Sequence, residues 1–167
     1  MVRDRWVWRS GREGLFIEDA VVSFQRYQCP SDKIVREAPS SHGALPVAAE
    51  RCHYLLALPT QEAFWVGVIV PKDWRHGPLS FAIQADGKIL RAQRFTEPGM
   101  FVVPGIKRSD GQFDVFCRGS VSELQLAGAG GTKRIIVCDP EDFSARTGQA
   151  PPEPFDRCAA FGGWLLP

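Results

Sequence analysis

Any chemistry in this chain of 167 residues would rest on a few side chains. Trp74 stands in Pro71-Lys72-Asp73-Trp74-Arg75-His76-Gly77-Pro78, a charged segment bounded by prolines. A sugar or small-molecule site needs an exposed ring for stacking and flanking groups that hydrogen-bond hydroxyls. Trp74 with Asp73, Arg75 and His76 has that composition, so these four are the candidate ligand-binding residues. A loop indole can equally cap the open end of an apolar core, and that bland use is the commoner one.

Nucleophilic catalysis would draw on Cys52 beside His53, with Asp19, Asp73 or Asp114 to orient the base. Adjacent strand residues point to opposite faces, so a thiolate at Cys52 would need His42 or His76 instead. No recognised elbow surrounds any cysteine, and no catalytic residue is assigned. Zinc sites show close pairs such as C-x-x-C, which are missing here, so no metal is expected. Asp139, Glu141 and Asp142 could hold calcium through their oxygens, but a helix cap already accounts for them. Gly128-Ala129-Gly130-Gly131-Thr132-Lys133 lacks the phosphate-loop order and precedes a strand pattern, so it reads as a hairpin loop. No cofactor is implied.

Composition bounds the remaining function classes. The formal net charge of +1 provides no field for a nucleic-acid backbone or an anionic membrane. No stretch approaches the roughly 18 apolar residues of a membrane span, and the N-terminus lacks a signal-like apolar core. Five cysteines, odd in number and far apart, fit reduced thiols in a cytoplasm better than a disulfide framework. The expectation is a cytoplasmic protein with neither nucleic acid nor membrane as partner.

The elements that must position these residues read as strands. Ala63-Phe64-Trp65-Val66-Gly67-Val68-Ile69-Val70 is the longest apolar run, rich in aromatic and β-branched residues and closed by Pro71. Leu79 to Gln84 and Lys88 to Phe95 flank Ala85-Asp86-Gly87, where Gly87 suits a tight hairpin loop. Arg5-Trp6-Val7-Trp8-Arg9 alternates, placing both indoles on one face; they dock on a core or stack on bases or sugars, and docking is the preferred reading. Leu15 to Phe24 continues as strand with a bend near Asp19 and Ala20. Gln25 to Leu45 loses any period, and Ser31 could cap a short helical turn over Asp32 to Glu37.

Residues 46–58 carry both helical and strand signals. The short connection Pro59-Thr60-Gln61-Glu62 favours a hairpin between Tyr54-Leu55-Leu56-Ala57-Leu58 and the Ala63 strand. Residues 100–103, 112–117, 121–126 and 133–138 follow as strands at the regular spacing of a sandwich or barrel. Asp139-Pro140 opens and Gly148 closes a short helix, with acids in its first turn. The domain spans residues 1–150. A proline-rich tether over 151–167 ends in an apolar tail, Phe161, Trp164, Leu165 and Leu166, which would pack on the body or on a second copy of the chain.

Taken together, the order of elements over residues 45–126 resembles that of carbohydrate-binding-module-like β-sandwich jelly rolls, at the level of pattern and without a diagnostic motif. The resemblance implies an all-β antiparallel sandwich with one short C-terminal helix; a lipocalin-like barrel is the alternative closure. Fold alone warrants little about function. The expected function is a non-enzymatic binding module for a glycan, a small molecule or a protein partner, centred on Trp74. The alternatives are a homo-oligomeric assembly subunit held by the apolar tail, and a small hydrolase or isomerase using His53 or His76 in a barrel mouth.

Overall fold

The computed structural model describes residues 6–154 except 129 and forms fourteen strands and one helix over them. They make two facing sheets that stay open at their margins, a sandwich rather than the alternative barrel. The first sheet runs β1 (Trp8–Gly11), β2 (Gly14–Ile17), β3 (Ala20–Gln28), β7 (Glu62–Val70), β12 (Phe113–Cys117) and β11 (Gly105–Lys107). β10 (Gly99–Val103) also pairs with β7, and the two-residue β4 (Ile34–Val35) pairs with β12. The second sheet runs β5 (Val47–Glu50), β6 (His53–Ala57), β14 (Lys133–Cys138), β13 (Glu123–Gly128), β8 (Leu79–Ala85) and β9 (Lys88–Phe95). The chain crosses between sheets from β4 to β5, β6 to β7, β7 to β8, β9 to β10 and β12 to β13, the alternation of a jelly roll.

Between the sheets lies one large core. Phe24, Phe64 and Phe116 form its centre, with ring centroids 5.8 and 5.2 Å apart along the series. Each is at most 1% exposed, and burying such a ring stabilises the fold by about 2 kcal/mol. The run of β7 is apolar on both faces because its outer face is covered too. Trp65, Tyr27, Val115 and Cys117 pack there under the segment from Cys29 to Pro39, and the Trp65 indole N–H donates to the Pro39 carbonyl at 2.8 Å. A third cluster lies under α1 (Pro140–Thr147), where Phe143 is fully buried against Leu55, Ala57 and Cys138.

Several local expectations hold. Asp86 and Gly87 take positive φ (50° and 76°) in the hairpin between β8 and β9, as a primed turn demands. Glu18 and Asp19 form the bend between β2 and β3. In α1, Asp139 caps the first turn by accepting from the Glu141 N–H at 2.7 Å, Pro140 starts the helix, and Gly148 closes it at φ 71°. This cap accounts for the acids once weighed as calcium ligands. Trp8 is buried in the core and Val7 is exposed, as the alternation requires.

Three expectations are corrected. Residues 46–58 are strands, but β6 does not form a hairpin with β7: it pairs antiparallel with β5 and parallel with β14, while β7 lies in the opposite sheet. Proximity in sequence suggested a pairing, but the edges of β7 are taken by β3 on one side and by β10 and β12 on the other. Residues 32–37 form no helical turn. The Asp32 carboxylate accepts from the Ile34 N–H at 3.2 Å and Lys33 takes φ 57°, a turn that feeds β4 instead. The third correction concerns Trp74, described below. The tail residues Phe161, Trp164, Leu165 and Leu166 lie outside the described residues, as do Cys158 and Arg5. No helix among the described residues is long and apolar enough to cross a membrane.

Candidate functional site

Trp74 does not offer a ring for stacking. Its side chain is 8% exposed and belongs to the main core, lying nearly parallel to Trp6 at a centroid distance of 5.8 Å. Its indole N–H donates to the Gly77 carbonyl at 2.7 Å, and the His76 ring meets its edge at 4.8 Å. Asp73, Arg75 and His76 are exposed around this plug. The charged neighbours suggested a surface site, yet Trp74 faces inward and closes one end of the core. The four residues are close together but surround no free aromatic face.

Of the catalytic candidates, Cys52 is exposed and His53 is engaged elsewhere. His53 Nε2 lies 3.1 Å from Glu50 Oε1, and Glu50 also binds Arg146, with Arg146 Nε to Glu50 Oε2 at 2.8 Å. This network ties α1 to the hairpin of β5 and β6. The Arg146 hydrogen bond, and more weakly His53, holds the Glu50 carboxyl below its usual range. Burial pushes the Cys138 thiol up to about 11; burial together with neighbouring Cys117 does the same for Cys29. These two thiols are protonated at neutral pH and are poor nucleophiles. Among the described residues no group of three or more His, Cys, Asp or Glu could hold a metal ion.

One concave region has its charges satisfied from within, and a second holds an unpartnered hydroxyl. At one end of the sandwich Arg26 and Glu62, 6% and 7% exposed, form a two-pronged pair at 2.5 and 2.6 Å, and Arg26 Nη1 donates to the Glu153 carbonyl at 2.8 Å. They border a hollow of about 440 Å³ with Pro59, Thr60, Gln61 and Pro152, but the charge there is neutralised by the fold itself. On the outer face of the first sheet the Tyr27 hydroxyl is buried without a hydrogen-bond partner, and burial raises its pKa further above the phenol range, so it is a neutral donor.

The third region differs in its charge. β9 is the free margin of the second sheet, and β10 with β11 is the free margin of the first. Residues 96–98 join them at one corner, where Phe95 and Phe101 stack at 6.0 Å. From that corner the two margins diverge and leave a cleft of about 460 Å³. Leu90, Val103, Ile106 and Phe113 contribute its apolar wall, and Ile89 is 63% exposed beside them. Gly105 lets β11 approach β12 closely; a Cβ there would stand 2.1 Å from the Asp114 carbonyl oxygen.

Register places one cation inside the cleft. Phe81 and Ile83 of β8 face the core, and their partners on β9 are Gln93 and Arg91. Arg91 therefore points inward at the sandwich margin. Its guanidinium lies 5.3 Å from the Phe101 ring centroid and donates to Gln93 Oε1 at 2.9 Å. Between Ile83 and Gln84 the register shifts, leaving Leu90 as an extra residue. That bulge turns Leu90 toward the core and Ile89 outward. Lys88 and Lys107 complete the lining, and no Asp or Glu is part of it.

Lys88, Arg91 and Lys107 form no ion pair among the described residues. The nearby acids Asp110 and Asp114 are held by Arg108, at 3.3 and 3.2 Å. Among the described residues these three cations thus lie beside exposed apolar surface without a carboxylate partner. Sequence reasoning placed Lys88 and Arg91 on a strand and Lys107 in no element, and none of them at a site, because their convergence joins two sheets. The one sequence signal was an eight-residue strand, Lys88 to Phe95, with three cations and no acid. Comparison of the chain with protein families, curated proteins and solved structures finds no match.

Proposed function

We propose that this protein is a non-enzymatic binding module whose ligand lies in the cleft between β9 and the margin formed by β10 and β11. The ligand is elongated, apolar along its body and negatively charged. One observation carries this reading: Lys88, Arg91 and Lys107 line an apolar cleft without a carboxylate partner among the described residues. Binding modules hold ligands by such a combination of apolar wall and few oriented charges.

Dodecanoate is a suitable probe because it carries one carboxylate on an apolar chain. Isothermal titration of the wild-type protein should show saturable binding. A hydrogen bond to a charged group contributes about 1.5–3 kcal/mol, so Arg91→Ala should weaken binding by about tenfold or more. The combined Lys88→Ala, Arg91→Ala, Lys107→Ala variant should bind too weakly to measure. Affinity that survives all three substitutions, or absence of saturable binding by this probe and by an acidic peptide alike, would reject the cleft as the site.

A further inference from the structure

We infer that the occupant of this cleft is an extended acidic segment of a partner protein, added to the second sheet as a strand along β9. The inference rests on the cleft reading above and specifies its ligand. β9 is eight residues long and, among the described residues, is paired only with β8 and keeps its other edge free of any strand. Its outward N–H and C=O groups therefore have no strand partner, and an extended chain laid along a sheet edge is recognised through such groups.

Side-chain periodicity then sets the partner's chemistry. Alternate residues of an added strand point to opposite faces. One set would enter between the sheets against Leu90, Val103 and Ile106, which selects apolar side chains. Arg94 on the exposed side of β9 selects carboxylates for the other set, and Arg91 at the inner rim, with Lys88 and Lys107 at the mouth, selects a carboxylate at one inward position. The preferred segment alternates apolar residues with Asp or Glu and carries one further acid among its inward residues. Folded proteins blunt sheet edges with cations, bulges and inward charges, and β9 has all three. Those devices oppose pairing with a second β9, which repeats the same positive charge. Toward an acidic strand the same charges are attractive.

The test uses an acetylated and amidated octapeptide that alternates Val and Glu except for one inward Val replaced by Glu, with two relatives that carry N-methyl groups on every second amide, one for each edge of the peptide. N-methylation removes the backbone donors of one edge and leaves the side chains in place. The parent peptide should bind the full chain and lose about tenfold or more on Arg91→Ala. One methylated relative should lose a similar factor, while the other binds nearly as the parent does.

Equal binding of all three peptides would overturn strand addition and leave the cleft reading standing. Dodecanoate binding without peptide binding would have the same meaning. Failure of both probes would remove the cleft reading and this inference together. A dimer of the protein alone in sedimentation, dispersed by Ile89→Lys, would assign the edge to a second copy and overturn the acidic partner.

Discussion

Two arginines at the rim of the same core are treated oppositely. Arg26 projects from β3 toward the interior at the end of the sandwich, where Glu62 takes its Nε and Nη2 groups. Arg91 projects inward from β9, where it meets the Phe101 ring and the Gln93 amide but no carboxylate among the described residues. Both are cations on inward faces of strands. The difference is the counter-ion: one charge is closed within the fold, and the other is left open to something outside it. In this molecule the status of a charge is read from its partner, not from its position on a strand.

The contrast can be broken from either side. Replacing Glu62 by Gln leaves a buried guanidinium without its counter-charge, which should cost about 3–5 kcal/mol. For a protein of this size that lowers Tm by roughly ten degrees in calorimetry. An unchanged Tm would mean that the pair is as dispensable as a surface one. Trp74→Ala comes next: removing a core indole that already touches the surface should cost about 3 kcal/mol in a urea melt, with an unaltered m value. A melt matching wild type would return Trp74 to the surface and to its role as a stacking ring. Smallest is the effect of Arg91→Ala on stability, expected within about 0.5 kcal/mol in the same melt because no buried ion pair is broken. A loss as large as that of Glu62→Gln would make Arg91 structural and erase the comparison.

Much of the fold could be read from the chain. Aromatic and β-branched runs located the strands, Gly87 located a hairpin, and the Asp139, Pro140 and Gly148 signals bounded α1 within a residue. Local signals of this kind act within a few residues and survive without tertiary knowledge. The pairing of β6 was not legible, because a strand buried on both faces, as β7 is, advertises no preferred neighbour. Trp74 carried both a stacking and a capping reading, and its burial matches the capping one; its charged neighbours describe the loop, whereas its ring lies against Trp6, far away in sequence. Lys88, Arg91 and Lys107 sit on strands of different sheets, so no spacing along the chain could announce that they meet.

The parallel contact between β6 and β14 carries a consequence for how the molecule assembles. Tyr54 opposes Ile135, about 80 residues on, whereas β5 meets β6 across a two-residue turn. Closing the longer loop costs about 3 kcal/mol more chain entropy than closing the short one. Between the two strands the chain must lay down β7, return for β8 and β9, cross again for β10 to β12, and come back for β13. The centre of the second sheet is therefore joined late, and the fold belongs with the slow, non-local topologies that mature in milliseconds to seconds. Until then β6 waits with one edge unpaired, and the order of strands along the chain acts as a timetable for the whole structure.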